Sequence, residues 1–415
     1  MRSPLDRLPT PADRRVAVRI TDDARRHVRR GSPWVFDGSI TSTSGDGAPG
    51  DLAVVFGSDR RFEAIGLYDP TSPIRVRVLH RGEPTTIDDA WWHDRFATAL
   101  ARRAELAASG ETTGYRLVHG ENDGLPGLVV DRYDDVVVVK LYSAVWIPRL
   151  RQVLDVLIDL VGPDAVVLRL SRGLQRAETA GLADGMVVVG DLPPGPVLFL
   201  EEGRRVEADP VAGQKTGYFL DQRDNRRLVG EMSAGARVLD VFSCTGGFTL
   251  AAAAGGAASV RSVDVSVTAL EVAERNLAHN RDRPAVAACR HEATAGDAFE
   301  VMAALADQGE RYDVVVVDPP SFAQRQANVA GALGAYRRLT ALALPLVVDG
   351  GLLVQASCSS RVDAEAFFGA VQATAAGAGV ELDEVARTGH PVDHPIGFDH
   401  GAYLKALIAR VHQPS

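Results

Sequence analysis

Apolar and polar positions alternate in short runs over the first fifth of the chain: residues 15–19, 34–36, 52–56, 64–68 and 74–79. Gly31-Ser32-Pro33, Gly45-Asp46-Gly47 and Pro49-Gly50-Asp51 separate them. A period of two broken by turn residues predicts strands, and their number and spacing predict a small β-barrel. Ahead of it, Pro4, Pro9 and Pro11 stand in a stretch without periodicity, which reads as a flexible tail over residues 1–14. The pattern then changes. Trp91, Phe96, Leu100 and Leu106 give an approximate apolar face to a helix over 86–109, with Gly110 available to end it. Strands are expected at 127–131, 136–141 and 165–170, and a helix near 147–161.

From about residue 205, buried-type strands alternate with helices. The strands fall at 237–241, 259–264, 312–318 and 352–355, with helices after Gly247 and over 267–279. This alternation predicts βαβ units and a doubly wound α/β sheet, with ligands at the carboxyl ends of its strands. The division is a barrel over 15–82, a central α/β domain over 83–200 and a nucleotide-binding α/β domain over 201–415. The proline-rich 192–196 segment makes the second junction.

Composition narrows the classes. The 415 residues are 46% hydrophobic and 24% charged, ordinary for a globular chain. No apolar run approaches the roughly 20 residues of a membrane helix, and residues 1–30 are rich in Arg and Asp without a signal-like apolar core, so a cytoplasmic protein is expected. Cys244, Cys289 and Cys358 are far apart and odd in number, which disfavours both a disulfide framework and a zinc site. No metal is expected. A net charge of −9 opposes a wholly basic nucleic-acid-binding surface. Against that average, Arg25, Arg26, Arg29 and Arg30 lie in one arginine-rich segment, a candidate phosphate-binding patch or simply a solvated face.

The candidate chemistry clusters late. Residues 238–248, Val-Leu-Asp-Val-Phe-Ser-Cys-Thr-Gly-Gly-Phe, read as a strand, a turn of small residues and a helix start, where backbone can approach a nucleotide. The G-x-G-x-x-G of dinucleotide sites is absent, which disfavours NAD. Asp264 follows at the end of the next strand, where an acid can accept two ribose hydroxyls, and Asp297 follows Gly296. Singly, each Asp is more often a cap or turn residue. In series, Asp240, Asp264, Asp297 and Asp318 favour S-adenosylmethionine. Two strand ends then carry Asp318-Pro319-Pro320-Ser321-Phe322 and Ala356-Ser357-Cys358-Ser359-Ser360.

On these residues, together with the 31–36 Gly-Ser-Pro-Trp-Val-Phe run, the 121–127 Glu-Asn-Asp-Gly-Leu-Pro-Gly run and the 215–223 Lys-Thr-Gly-Tyr-Phe-Leu-Asp-Gln-Arg run, the chain resembles the RlmI-type class I methyltransferases of 23S rRNA. Nearly the whole length takes part. The resemblance implies an N-terminal PUA-like RNA-binding barrel, a Rossmann-like C-terminal domain, S-adenosylmethionine as cofactor and RNA as partner, either 23S rRNA or a large-subunit assembly intermediate, and leaves a homodimer open. It carries Lys215, Thr216, Tyr218 and Asp221 over as cofactor-pocket residues beside Asp240, Phe242, Ser243, Thr245, Gly246, Asp264, Asp297 and Asp318.

It also implies 5-methylcytosine as product. Carbon 5 of cytosine is a poor nucleophile, and a thiolate added at carbon 6 concentrates electron density there. Cys358 is the expected nucleophile and Asp318 its partner at the ring, with Pro319, Pro320 and Phe322 against the flipped base. Ser321 stands where two-cysteine relatives carry a second thiol. A guanine N2 or N7 methyltransferase is the enzymatic alternative, because Pro-Pro-x-Phe also serves amino-group methylation. A non-catalytic RNA-binding ribosome-assembly factor is the other.

Overall fold

The computed structural model describes residues 4–11, 14–177, 179–323, 325–398 and 400–414. Residues 1–3, 12 and 13 of the expected tail lie outside them. The chain divides into two compact units, the first comprising residues 1–203, 208–220 and 392–401 and the second the remainder.

The first unit opens with β1 (Arg15–Ile20), α1 (Asp22–Arg29), β2 (Trp34–Phe36), β3 (Ile40–Thr43), β4 (Leu52–Phe56), β5 (Phe62–Tyr68) and β6 (Ile74–Arg81). The strands form one mixed sheet in the order β2-β6-β5-β4-β1-β3, parallel only between β1 and β4. The arginine-rich segment is the helix α1. Thr21 caps it by accepting from Ala24 N, Asp22 and Asp23 sit in its first turn and Arg26, His27 and Arg29 in its last, all in the sense the helix dipole favours.

Next come α2 (Asp89–Ala101) and α3 (Ala104–Ala108), where one helix was expected. The break lies at Arg102-Arg103: the Arg103 side chain turns into the core to meet both Asp123 oxygens, at 3.0 and 2.7 Å. A second sheet follows, from β7 (Gly114–His119), β8 (Leu128–Tyr133), β9 (Val136–Leu141), β10 (Ala165–Leu170) and β11 (Met186–Gly190), ordered β11-β10-β9-β8-β7. β9 and β10 are parallel, which requires a crossover, and α4 (Leu150–Val161) supplies it. Ile65, Leu67 and Leu79 share one core with Trp92, Phe96, Trp146 and Val139, so barrel and central segments are not packed as separate bodies. The expected loose tail is partly ordered by the same core: Leu5 and Leu8 pack on it from a turn over Pro4–Arg7.

β12 (Val197–Glu201) and β13 (Arg204–Ala208) mark the passage to the second unit. That unit continues with α5 (Arg223–Glu231), β14 (Arg237–Val241), α6 (Gly247–Ala254), β15 (Ser259–Asp264), α7 (Val267–His279), α8 (Pro284–Ala288), β16 (Arg290–Ala295), α9 (Ala298–Asp307) and β17 (Tyr312–Val317). It ends with α10 (Val329–Ala343), β18 (Val347–Ser357), α11 (Ala364–Gly377), β19 (Glu381–Thr388) and β20 (Lys405–His412). The sheet order is β16-β15-β14-β17-β18-β20-β19, and only the pairings of β20 are antiparallel. Strand order reverses at β14, between β15 and β17, which opens a crevice at the carboxyl ends of β14 and β17. The doubly wound expectation holds here.

Residues 392–401, expected in the C-terminal domain, belong to the first unit. The Asp393 carbonyl accepts from Arg103 at 2.8 Å, its carboxylate accepts from Arg116 N at 2.9 Å, Gly397 N donates to Asn122 Oδ1 at 2.8 Å, and the Phe398 ring meets Trp34 edge-on at 5.3 Å. Polar partners far back in sequence claim this segment, and no local pattern announces them.

Candidate active site at the carboxyl edge of the second unit

The loop after β14 is the most constrained backbone in this unit. Phe242 and Cys244 adopt φ of 64° and 48°, left-handed values that non-glycine residues rarely take. Both strained turns are fixed from β15: Phe242 N and Ser243 N donate to the Val263 carbonyl at 2.9 and 3.1 Å, and Cys244 N donates to Asp264 Oδ2 at 2.9 Å. Gly246 caps α6 at φ 76°, where a Cβ would lie 2.5 Å from that of Ala273 on α7, so close helix packing and backbone conformation both demand glycine. Thr245 is tied down through its carbonyl, which accepts from Asn276 at 2.9 Å.

Asp240 stands beneath the loop, fully buried. Its Oδ2 accepts from Thr249 N at 3.0 Å and Thr249 Oγ1 at 2.7 Å, and the chain of hydroxyls continues to Ser262 and His291. Burial pushes its carboxyl up to about 6, against the hydrogen bonds from Thr249 that pull it down. Its Oδ1 and the buried Ser243 Oγ have no hydrogen-bond partner among the described residues. Such atoms are costly unless something else satisfies them. Asp264 holds the next position, with Oδ1 accepting from Ser266 N at 2.9 Å, and each carboxylate oxygen retains a lone pair beyond its backbone partner.

Asp297 stands at the end of the neighbouring strand. It is exposed and caps α9, accepting from Phe299 N and Glu300 N at 2.9 and 3.2 Å.

The other half of the edge follows β17 and β18. Asp318 leaves β17 with its N–H on the Val241 carbonyl at 3.3 Å, beside the β14 loop. Pro319 is buried and Pro320 exposed. The partly buried Phe322 meets Tyr336 edge-on at 5.4 Å and packs against the core. Cys358 follows β18 directly, half-buried, its Sγ 3.9 Å from the Pro319 carbonyl. The two reactive segments named by the sequence therefore touch.

One residue here carried no role in the sequence reading. Lys405 pairs with Ser357 in the β18–β20 register, and its buried ammonium donates to the Ser359 and Val362 carbonyls, both at 2.5 Å, and to that of Tyr403 at 3.2 Å. Burial pulls it down to about 8, opposed by the charges of Cys358 and Asp363. Burial pushes the thiols of both Cys244 and Cys289 up, which favours their protonated form.

The 215–223 segment divides between the units. Lys215, Thr216 and Tyr218 belong to the first, where Thr216 Oγ1 donates to Asp131 Oδ2 at 2.5 Å, Tyr218 N donates to the Tyr133 hydroxyl at 3.1 Å, and the Lys215 carbonyl accepts from Lys140 at 2.6 Å. Asp221 lies in the second, where its Oδ2 accepts from Tyr403 at 2.9 Å. Tyr403 also stacks edge-on with His390, whose Nε2 accepts from Tyr403 N and Leu404 N at 3.2 and 3.1 Å.

The arginines of α1 fare worse as phosphate contacts. Arg25 meets Asp59 at 3.0 Å and Glu63 at 2.7 Å, Arg29 meets Glu63 at 2.7 Å, and Arg26 meets Asp23 at 2.7 Å; only Arg30 has no ion pair among the described residues. No group of three His, Cys, Asp or Glu among the described residues is arranged to hold a metal. No helix among them is long and apolar enough to cross a membrane.

Residues 125–410 match the family model of S-adenosylmethionine-dependent methyltransferases, and residues 18–81 match that of PUA-like domains. The chain belongs to the S-adenosylmethionine-dependent methyltransferases. A Deinococcus radiodurans protein named ribosomal RNA large subunit methyltransferase is 47% identical over 97% of this chain and 99% of its own length. A Shewanella amazonensis protein named ribosomal RNA large subunit methyltransferase I is 35% identical over 95% and 99%. A solved structure described as a methyltransferase complexed with SAH superposes with a TM-score of 0.80 at 20% identity, over 95% of this chain and 99% of that one. The methyltransferase depends on S-adenosylmethionine, and the orphaned Ser243 Oγ and Asp240 Oδ1 beside the strained β14 loop fit a polar ligand there.

Proposed function

We propose that this methyltransferase forms 5-methylcytosine in large-subunit ribosomal RNA, with Cys358 as nucleophile. The observation that carries the reading is the meeting of Cys358 Sγ with the Pro319 carbonyl, 3.9 Å apart, on the edge that also bears Asp318 and the β14 loop. The names of the relatives from Deinococcus and Shewanella support the RNA class. The cytosine and the covalent step rest on the thiol.

The Cys358 thiolate adds to carbon 6 of cytosine, and the displaced π pair concentrates at carbon 5. S-adenosylmethionine supplies the methyl group that carbon 5 takes up. A base then removes the carbon-5 proton, and the electrons of that bond restore the 5,6 double bond and expel the thiolate. Asp318 hydrogen-bonds the ring beside the adduct. The Lys405 ammonium, anchored on the Ser359 and Val362 carbonyls, fixes the turn that presents Cys358 and adds a positive charge favourable to the thiolate. Asp264 accepts the ribose hydroxyls of the cofactor, and the β14 loop lies against it, with Asp240 and Ser243 offering their unsatisfied oxygens. Asp297 acts through the α9 cap it makes. Asp221 joins this pocket on the family's pattern.

Mass-spectrometric nucleoside analysis of rRNA from cells with and without the gene tests this. Loss of one 5-methylcytosine is expected. Loss of a 2-methylguanosine or 7-methylguanosine instead favours the amino-group or N7 alternative, and an unchanged profile favours an assembly factor without turnover.

A further inference from the structure

Acids neutralise most of the arginines of α1, and a second group of arginines lies elsewhere in the first unit. Arg95 and Arg102 are seven residues apart, at the body and C-cap of α2, and so project from one helix face. Both reach the turn over residues 120–124. Arg102 Nη1 donates to the Asn122 carbonyl at 3.1 Å and to Asp123 at 2.9 Å, and Arg95 Nη1 lies 2.8 Å from where a Cβ on Gly124 would stand. Asp123 is the one carboxylate they meet, and it is already held through both oxygens by the buried Arg103. Arg95 lies over the Trp91 ring at 4.8 Å. Arg81, exposed at the end of β6, donates to the Ser32 carbonyl at 3.0 Å and has no ion pair among the described residues.

The electrostatics agree with the geometry. Partial burial, and after it the charge of Arg95, holds Arg81 below its ordinary value, and partial burial followed by Arg102 does the same to Arg95. Arg95 thus acts on Arg81 and Arg102 on Arg95, with Asp123 offsetting part of the latter, an arrangement that an anion would relieve further. Next to Ser32 stands an aromatic group. Trp34 meets Phe36 and Phe398 edge-on at 6.4 and 5.3 Å, Phe36 is 47% exposed, and Trp34 is oriented by a hydrogen bond to Glu121 on the same 120–124 turn.

We propose that Arg81, Arg95 and Arg102, flanked by Trp34, Phe36 and Phe398, form an RNA-binding face of the first unit that extends beyond the PUA-like segment onto α2. Guanidiniums take the phosphates and the aromatic rings take unpaired bases, the division of labour found where single-stranded RNA is gripped. The proposal rests on the RNA reading above.

The full-length R81Q/R95Q variant is compared with wild type and with an R26Q/R29Q variant of α1, using protein-free large-subunit rRNA as probe and filter binding at several salt concentrations. Losing two phosphate contacts should weaken binding and lower the salt slope by about 1.5, since each contact contributes about 0.7 to 0.9. The α1 variant should match wild type, because acids already engage both arginines. Unchanged S-adenosylmethionine affinity by calorimetry confirms a folded protein, and R81Q alone, exposed and expected to lower the slope by about 0.8, replaces the double variant if that fails to fold. Wild-type affinity and slope in the Arg81 and Arg95 variants, or an equal loss in the α1 variant, overturns the face. A wild-type protein that binds no RNA overturns the substrate reading and the face together, whereas retained RNA binding without 5-methylcytosine overturns only the chemistry.

Discussion

At one end of the carboxyl edge, Asp264 grips the backbone N–H groups of Cys244 and Ser266, each at 2.9 Å. At the other end, the turn carrying Cys358 is gripped by the reverse polarity, with the Lys405 ammonium donating to the carbonyls of Ser359 and Val362. The difference suits the charges that each end must handle. On the proposed reading, a carboxylate with spare lone pairs meets the cofactor hydroxyls, while a cation stands behind a thiol that reacts as an anion. The cofactor end is stiff by covalent conformation, through the left-handed Phe242 and Cys244, and the reacting end is stiff through one buried side chain.

Removing the thiol should break this comparison most severely. In Cys358→Ala, methyl transfer is expected to fall by about three orders of magnitude or more while S-adenosylmethionine affinity measured by calorimetry stays within about twofold. Near-normal turnover would remove covalent catalysis, and a parallel loss of cofactor binding would show that the two ends are not separable.

A smaller effect is expected from the opposite end. Asp264→Asn keeps one backbone acceptor, replaces the other with an amide donor and discards the charge, and loss of a charged hydrogen bond of about 1.5 to 3 kcal/mol predicts a dissociation constant raised roughly 10- to 100-fold. RNA affinity should not move. An unchanged cofactor dissociation constant would take Asp264 out of the pocket.

The sheet and its edge were legible because each rests on local chemistry. Continuous apolar runs at β14, β17 and β18 announce strands buried on both faces, and the residues just past each strand end must fall on one edge of a parallel sheet. Partnerships across the fold were not legible. Arg25 and Arg29 read as a basic patch because Glu63, which neutralises both, lies 34 or more residues away on β5. Thr216, expected at the cofactor, donates its hydroxyl to Asp131, 85 residues back. Asp297 shows the opposite limit: one acid in the ordered series is held as a helix cap, which its position between Gly296 and the start of α9 also allowed. For Lys405, a lysine in an otherwise arginine-rich chain was the available signal, since Lys140, Lys215 and Lys405 are the only three.

Asp240 supplies the finest test, because it separates a group kept for stability from one kept for the cofactor. Its carboxyl rises from an ordinary 3.8 to about 6 through burial. The folded state therefore takes up a proton near pH 6 that the unfolded chain takes up only near 3.8, and ionised Asp240 destabilises the fold above pH 6 by about 3 kcal/mol, net of the hydrogen bonds from Thr249. That penalty fades as pH falls towards 3.8, where both states are protonated. Asp240→Asn retains an acceptor for Thr249 and cannot ionise, so the cofactor-free variant, compared with wild type, should be more stable at pH 8 than at pH 4 by about 2 kcal/mol. Thermal unfolding at both pH values measures it, and calorimetry on the same variant should show weakened S-adenosylmethionine binding. A difference from wild type that is equal at both pH values would trace to packing instead of ionisation, and full cofactor affinity would leave the buried charge without a reason at this end of the edge.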